Sequence, residues 1–216
     1  MISDAFTFAL NRFTSNLGFW LPAVILYGIL MLVLELIAHF SGVIIFEIIN
    51  FLVPMLFSLG IIKATIRAYN KKHYDMKIFF DNSILKYFLR YLIGSILYAL
   101  TIVVGTIFLI IPGIFFGIKF FYYDYFIVDR DLGVIDAFKA SYNATKGYGL
   151  LIFGFSILLI IINLLGALIL LIGLIVTIPI TFLSMAYIYF TITKDVDDVD
   201  DVDNDIESQE KINGNI

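Results

Sequence analysis

The chain has 216 residues, of which 61% are hydrophobic and 15% are charged, and its formal net charge is −4 at pH 7. A soluble fold of this length has no interior large enough for so much apolar surface, so the composition excludes an ordinary soluble domain. The chain has no cysteine, which excludes disulfides, thiol nucleophiles and thiolate metal sites.

Six apolar segments follow one another along the chain, and a helix of this length crosses roughly 30 Å of hydrocarbon. Short uncharged links join the segments in pairs, which predicts three tight antiparallel hairpins. The sequence therefore predicts an all-α fold, a polytopic transmembrane helical bundle of about six spans. The predicted spans are residues 18–40, 43–62, 90–111, 113–128, 148–167 and 171–193, and the links are Ser41-Gly42, Ile111-Pro112-Gly113 and residues 166–173.

An amphipathic stretch precedes each predicted hairpin. In the first stretch, Phe6, Leu10 and Phe13 recur at helical spacing. Residues 80–91 and 134–145 repeat this pattern before the second and third hairpins. These stretches predict interfacial amphipathic helices, which either brace the bundle or bind lipid headgroups or a partner protein.

A further pattern extends from the second hairpin into the third amphipathic stretch, and it consists of Pro112, Gly113, Lys119, Ala137, Ser141, Lys146 and Gly147. Over residues 105–155 it resembles a broad group of prokaryotic integral membrane proteins. The group includes the membrane domain that precedes the catalytic domain in some glycerophosphoryl diester phosphodiesterases. The resemblance implies a helical membrane module. The carboxylates and histidines of that catalytic barrel have no counterpart in this sequence, so the resemblance carries over no activity and no catalytic residues.

No pattern in the sequence indicates catalysis. His39 and His73 are the two histidines, and neither has a metal-ligand partner at a suitable spacing. The G-x-S-x-G, P-loop and H-E-x-x-H patterns are all missing from the sequence. We therefore expect a protein that is not an enzyme, with no catalytic residues, no metal site and no cofactor.

The last part of the chain differs sharply from the rest. Residues 194–216 hold 2 basic and 9 acidic residues, whereas residues 1–193 hold 12 basic and 9 acidic residues. This composition predicts an integral membrane domain at 1–193 and a disordered acidic tail at 194–216. The run from Asp201 fails as an EF-hand, because its sixth residue is Ile206 rather than glycine and its twelfth is Ile212 rather than glutamate.

Five polar residues are predicted to lie at one depth in the bundle. Glu35 and Glu47 lie about six and five residues from the first link, roughly 9 Å below the outer helix ends. Lys119, Thr106 and Asn163 lie at similar distances from the other two links. Because an unpaired charge this deep costs roughly 2.5 to 3.5 kcal/mol, we expect Lys119 to pair with Glu35, Glu47 or both. Such a layer has two interpretations. It is a proton or cation site, or it is a set of internal polar contacts (polar glue) that joins the helices.

These features predict a non-enzymatic integral membrane module, a scaffold or a protein that interacts with lipids or proteins. Membrane lipids are the expected partners, with other membrane proteins as a further partner class, and no feature indicates nucleic acid binding. The alternative is a small transporter or permeation module that uses the intramembrane Glu/Lys layer. A transporter requires polar groups converging inside the bundle, whereas a scaffold carries its specificity on the surface.

The basic residues predict the orientation of the protein. They lie in the longer connections, as Lys71, Lys72 and Arg90 do, and the hairpin links carry none. Basic residues in short loops stay in the cytoplasm during insertion, which predicts a cytoplasmic (cell) membrane protein with both termini inside.

A membrane-impermeant thiol reagent should therefore label Gly42→Cys in intact cells and leave His73→Cys unlabelled. Labelling of His73→Cys alone would reverse the predicted orientation.

Overall fold

The computed structural model describes the backbone of residues 1–41, 43–169 and 172–213 and the side chains of residues 1–40, 43–169 and 172–194. Within these residues the fold has nine α-helices, one 3-10 helix and no strand, which confirms the predicted all-α class. The α-helices are α1 (Ile2–Ser15), α2 (Leu17–Ser41), α3 (Ile44–Tyr69), α4 (Asn82–Phe108), α5 (Ile110–Lys119), α6 (Tyr123–Asp129), α7 (Val134–Ala144), α8 (Gly149–Leu168) and α9 (Leu174–Asn213), and the 3-10 helix is Met76–Phe80.

Six segments of the described chain are long and apolar enough to cross a membrane, which indicates a membrane protein. The helices α2, α3, α4 and α8 each supply one, and α9 supplies another at Leu174–Lys194. The remaining segment, Ile110–Asp129, consists of α5 and α6 together. Outward faces of these helices expose many leucine, isoleucine and valine side chains. A bilayer accommodates such faces because lipid tails are equally apolar.

Two of the three predicted amphipathic stretches form separate helices. α1 precedes the first hairpin and packs along α9, burying Ala5, Ala9 and Phe13 on one face. α7 holds the corresponding place before the third hairpin. Residues 82–91 are instead the first turns of α4, because no break separates this stretch from the apolar span that follows it.

The helix α9 continues as backbone through Asn213, where the sequence predicts a disordered tail. From residue 195 onward the side chains lie outside the described residues, so the packing of this stretch is not assigned. Disorder of residues 194–216 stays a prediction.

The turn of the second hairpin lies earlier than the sequence predicts. α4 ends at Phe108 and α5 begins at Ile110, so Leu109 alone makes the turn, with extended backbone angles. Pro112 therefore lies in the first turn of α5 instead of at the link. A proline is tolerated there, because the first four N–H groups of a helix have no intrahelical partner.

Two glycines allow α4 and α5 to touch beside this turn. A Cβ atom at Gly105 would lie 2.9 Å from both the Cα and the N atoms of Gly113. A Cβ atom at Gly113 would in turn collide with the hydroxyl of Thr106. Because neither residue has a side chain, the backbones of α4 and α5 can approach each other closely. The hairpin therefore depends on both glycines.

Gly105→Ala should therefore lower the free energy of unfolding by about 1 to 3 kcal/mol, the usual cost of overpacking. The matched control is Gly154→Ala in α8, since a Cβ atom there meets nothing within 4 Å. That control should be neutral or slightly stabilising, because alanine favours helix. Unfolding of both purified variants in detergent checks the prediction, and equal stability of the two would contradict it.

The centre of the bundle is built around α6. Tyr122, which precedes this helix, and Tyr125 within it are fully buried, as is Tyr189 of α9. The ring centres of Tyr125 and Tyr189 lie 5.2 Å apart, and the Tyr125 hydroxyl donates to the carbonyl of Phe182 at 3.1 Å. Tyr122 and Tyr125 are therefore interior residues that pack α6 against α9.

Candidate functional site

Three members of the predicted polar layer occupy separate places in the bundle. Within the first hairpin, Asn50 Nδ2 donates to Glu35 Oε2 at 3.2 Å. Asn163 Nδ2 donates to Thr181 Oγ1 at 2.8 Å, which joins α8 to α9. Glu47 is exposed near the start of α3. These contacts join pairs of neighbouring helices, as polar glue does.

Lys119 is buried, as predicted, but its partners differ from those expected. In the described part of the chain no ion pair joins it to Glu35 or Glu47. Its Nζ atom donates to the carbonyl of Thr145 at 3.2 Å and lies 5.2 Å from the ring centre of Tyr142. Because the turn is at Leu109, Lys119 lies ten residues below it, roughly 15 Å deep. The carboxylates of the first hairpin lie closer to their own turn, so the depths do not match.

Two residues of the family-like pattern, Lys119 and Ser141, meet where the fourth span breaks between α5 and α6. Ser141 bridges the break, because its hydroxyl accepts from the N–H of Tyr122 at 3.2 Å and donates to the carbonyl of Lys119 at 3.0 Å. The hydroxyl of Thr145 also donates to that carbonyl, at 3.2 Å. The hydroxyl groups at the C-terminal half of α7 thus supply hydrogen-bond partners for backbone groups that have none within α5 or α6.

The other residues of the pattern have packing or backbone roles. Ala137 is fully buried beside the bundle core. Gly147 has φ +87, the left-handed conformation that suits glycine after a helix. Lys146 is exposed and close enough to Lys119 for the two charges to interact. The pattern therefore describes how α7 docks on the broken span.

Ser141→Ala should lower the free energy of unfolding by about 1 to 3 kcal/mol, because it leaves the buried N–H of Tyr122 without its partner and removes one of the two hydroxyl donors to the carbonyl of Lys119. Ser156→Ala is the matched control. Among the described residues, the hydroxyl of Ser156 donates to the carbonyl of Ile152 in its own helix, at 2.7 Å, and to no other helix. Chemical unfolding of the two variants in the same detergent measures the difference, and a loss in Ser156→Ala as large as that in Ser141→Ala would refute the bridging role.

A cluster of basic residues lies at the end of the bundle opposite the hairpin turns. It surrounds two adjoining cavities, which we together call the basic groove. The first cavity has a volume of about 450 Å³ and is lined by Arg12, Lys71, Lys72 and His73, with polar Ser15 and Asn16 beside them. The second has a volume of about 420 Å³, shares Lys72 and His73, and adds Lys63, Arg67, Asn70 and Asp129.

Two cations of the second cavity, Lys63 and Arg67, are already paired with a carboxylate. Lys63 Nζ donates to Asp81 at 2.6 Å and to Ser83, and Arg67 lies 3.9 Å from the same carboxylate. The hydrogen bond from Lys63 holds the pKa of Asp81 well below its ordinary value, and the backbone N–H of Ser83 adds to this effect. Asp81 therefore stays ionised at neutral pH and keeps Lys63 engaged.

The cations of the first cavity are different. Across the described residues, Arg12, Lys71 and Lys72 form no ion pair. The residues that line this cavity include no aspartate or glutamate. An anion would meet up to three positive charges here with little competition from carboxylates.

Lys71 is held in an unfavourable backbone conformation at this cavity. α3 ends in a Schellman motif, in which the N–H of Lys72 bonds to the carbonyl of Arg67 at 2.9 Å and the N–H of Lys71 to that of Ala68 at 3.3 Å. Lys71 takes the left-handed position with φ 54, which glycine usually occupies. A side chain there costs about 1 to 2 kcal/mol. Such strain points to a role for the lysine itself.

The sequence explains these basic residues either as determinants of orientation or as a general attraction to anionic lipid, and it does not predict that they meet in one groove. The signal that was available is the run Lys71-Lys72-His73 directly after an apolar span. The contribution of Arg12 from α1 had no such signal, because only the folded chain brings α1 beside the end of α3. For metals, the described residues contain no group of three or more His, Asp or Glu side chains placed to hold an ion.

A family model described as a domain of unknown function, DUF7847, matches residues 83–198, which is more than half of the chain. The match covers the span break and α7, whereas most of the basic groove comes from residues before it. The comparisons show no link to the glycerophosphoryl diester phosphodiesterases. No curated protein and no solved structure matches the chain.

Proposed function

This chain belongs to the DUF7847 family, and we propose that it is a cell-membrane protein that binds anionic phospholipid headgroups in the basic groove. The observation that carries the proposal is the first cavity of the groove. Its three cations, Arg12, Lys71 and Lys72, have no ion-pair partner among the described residues. A phospholipid phosphate supplies the missing negative charge.

The location of the groove favours a lipid over a soluble anion. Lys71 and Lys72 directly follow α3, which is one of the six apolar segments, so their side chains lie where a membrane span ends. Basic residues beside a span are attracted to anionic lipids by about 1 kcal/mol each. We place this end of the bundle in the cytoplasm on the distribution of basic residues, and that leaflet is the one rich in anionic lipids.

The resemblance of residues 105–155 to the membrane domain of glycerophosphoryl diester phosphodiesterases belongs to the same proposal. A membrane module that holds a phospholipid suits a domain found beside an enzyme of glycerophosphodiester chemistry. We propose a binding role for this chain and no catalytic one, so the assigned residues are cations that hold a headgroup.

The test compares phosphatidylglycerol with phosphatidylcholine as ligands of the purified protein in detergent, with bound lipid counted by native mass spectrometry. Phosphatidylglycerol should bind more tightly, and salt should weaken its binding. Lys72→Ala should weaken it about fivefold, and Lys71→Gly by a similar factor, as expected for one charge near the surface. Lys71→Gly should not lower stability, because glycine tolerates the left-handed conformation.

Lys139→Ala is the matched control. Lys139 is an exposed lysine of α7 whose side chain lies 3.9 Å from Asp136, and it does not line the groove. Its loss should leave phosphatidylglycerol binding unchanged. Equal binding of the two lipids, or an equal effect of Lys139→Ala and Lys72→Ala, would reject the proposed site.

A further inference from the structure

An apolar groove runs beside the basic groove, between the first hairpin and the 3-10 helix. Its volume is about 340 Å³, and its walls include Leu26 and Leu30 of α2, Val53 of α3, and Met76 and Phe80 of the 3-10 helix. We call it the chain groove. Phe80 is 88% exposed, although an aromatic side chain favours apolar surroundings. The 3-10 helix thus adds a third wall to the face of a helix hairpin.

One continuous series of aromatic rings joins the two grooves. Tyr74 lines the basic groove and meets Phe19 edge to face at 4.9 Å. Phe19 stacks on Phe79 at 6.0 Å, and Phe79 stacks on Phe57 at 5.2 Å. Phe79 and Phe57 line the chain groove, where Tyr27 stacks on Phe57 at 4.0 Å. The two grooves therefore share one wall.

Gly60 supports this wall. A Cβ atom at Gly60 would collide with the ring of Phe79, so the absence of a side chain lets that ring lie against α3. Without this contact Phe79 would lose its place between Phe19 and Phe57. The position of the 3-10 helix, and with it one wall of the chain groove, depends on this approach.

The distance from the basic groove to the deep end of the chain groove matches the length of a lipid in one leaflet. Ala68 lines the basic groove and Val53 lines the chain groove, and both lie on α3. Fifteen residues of helix separate them by about 22 Å. Half of a bilayer, including its headgroup region, measures about 20 to 22 Å. A headgroup in the first groove would therefore place its acyl chain at the depth of the second.

We propose that the chain groove holds one acyl chain of the phospholipid whose phosphate occupies the basic groove, so that the protein binds a single lipid along its length. This inference rests on the proposed function. The occupant is a lipid because one molecule satisfies both parts of the site, the cations at one end and the apolar walls at the other.

The experiment compares dioleoyl phosphatidylglycerol with dihexanoyl phosphatidylglycerol, which has the same headgroup and chains too short to reach Val53. Val53→Trp fills the deep end of the chain groove. It should weaken binding of the long-chain lipid about tenfold, the effect expected when about two methylenes lose contact. Binding of the short-chain lipid should not change. The control is Val103→Trp on the exposed face of α4, which should alter neither affinity.

A second measurement uses the unaltered protein, so that it does not depend on the folding of a variant. Phosphatidylglycerol with a photoreactive group at the end of one chain should cross-link to peptides that contain Leu30 or Val53. Cross-links confined to α8, or cross-links of the chain groove to a second copy of the protein, would overturn the inference.

The two proposals fail in different ways. If both lipids bind with dependence on Lys72 but Val53→Trp leaves the long-chain lipid unaffected, the headgroup site stands and the chain site is wrong. If neither lipid depends on Lys72, the proposed function is wrong and the inference falls with it.

Discussion

A backbone that leaves its helix within an apolar segment must find hydrogen-bond partners inside the protein, because hydrocarbon supplies none. The break between α5 and α6 is such a place. Ser141 and Thr145 meet the requirement with hydroxyl groups from α7, which fixes the position of α7. With α7 in place, the aromatic residues of α6 become the centre of the bundle, and α9 packs against them.

The same break accounts for the contacts that Lys119 makes among the described residues. Its carbonyl accepts the two hydroxyls of α7, and its ammonium group donates to the carbonyl of Thr145, at the C-terminal end of α7. A cation is favourable at the C-terminus of a helix, where the macrodipole is negative. The rings of Tyr142 and Phe115 lie within 6 Å of the charge and stabilise it further. These contacts hold the end of α5 against the C-terminal end of α7.

The chain divides into two parts with different roles. The region matched by the family model, residues 83–198, contains the broken span and the core that forms around it. The part before it supplies α1, the first hairpin and the 3-10 helix, whose residues build most of the basic groove and the chain groove. Lys71 belongs to the part before the matched region, where it has φ 54 and lines the first cavity.

The sequence alone determined the helical class, the six apolar segments and the pairing of the spans. These features can be read locally, because hydropathy is summed over neighbouring residues and the length of a spanning helix is set by the thickness of the membrane. The tertiary structure decided that Leu109 makes the second turn, since Pro112 is compatible with both a link and a first helical turn.

Only the tertiary structure could decide the partners of the polar residues. The spacing of Lys119 from a presumed turn suggested a shared depth with Glu35 and Glu47, but depth does not specify which helices are neighbours. The described contacts place Lys119 against Thr145, and they bring Arg12 to the cavity beside Lys71. Both arrangements depend on contacts between helices far apart in the chain, which local periodicity does not encode.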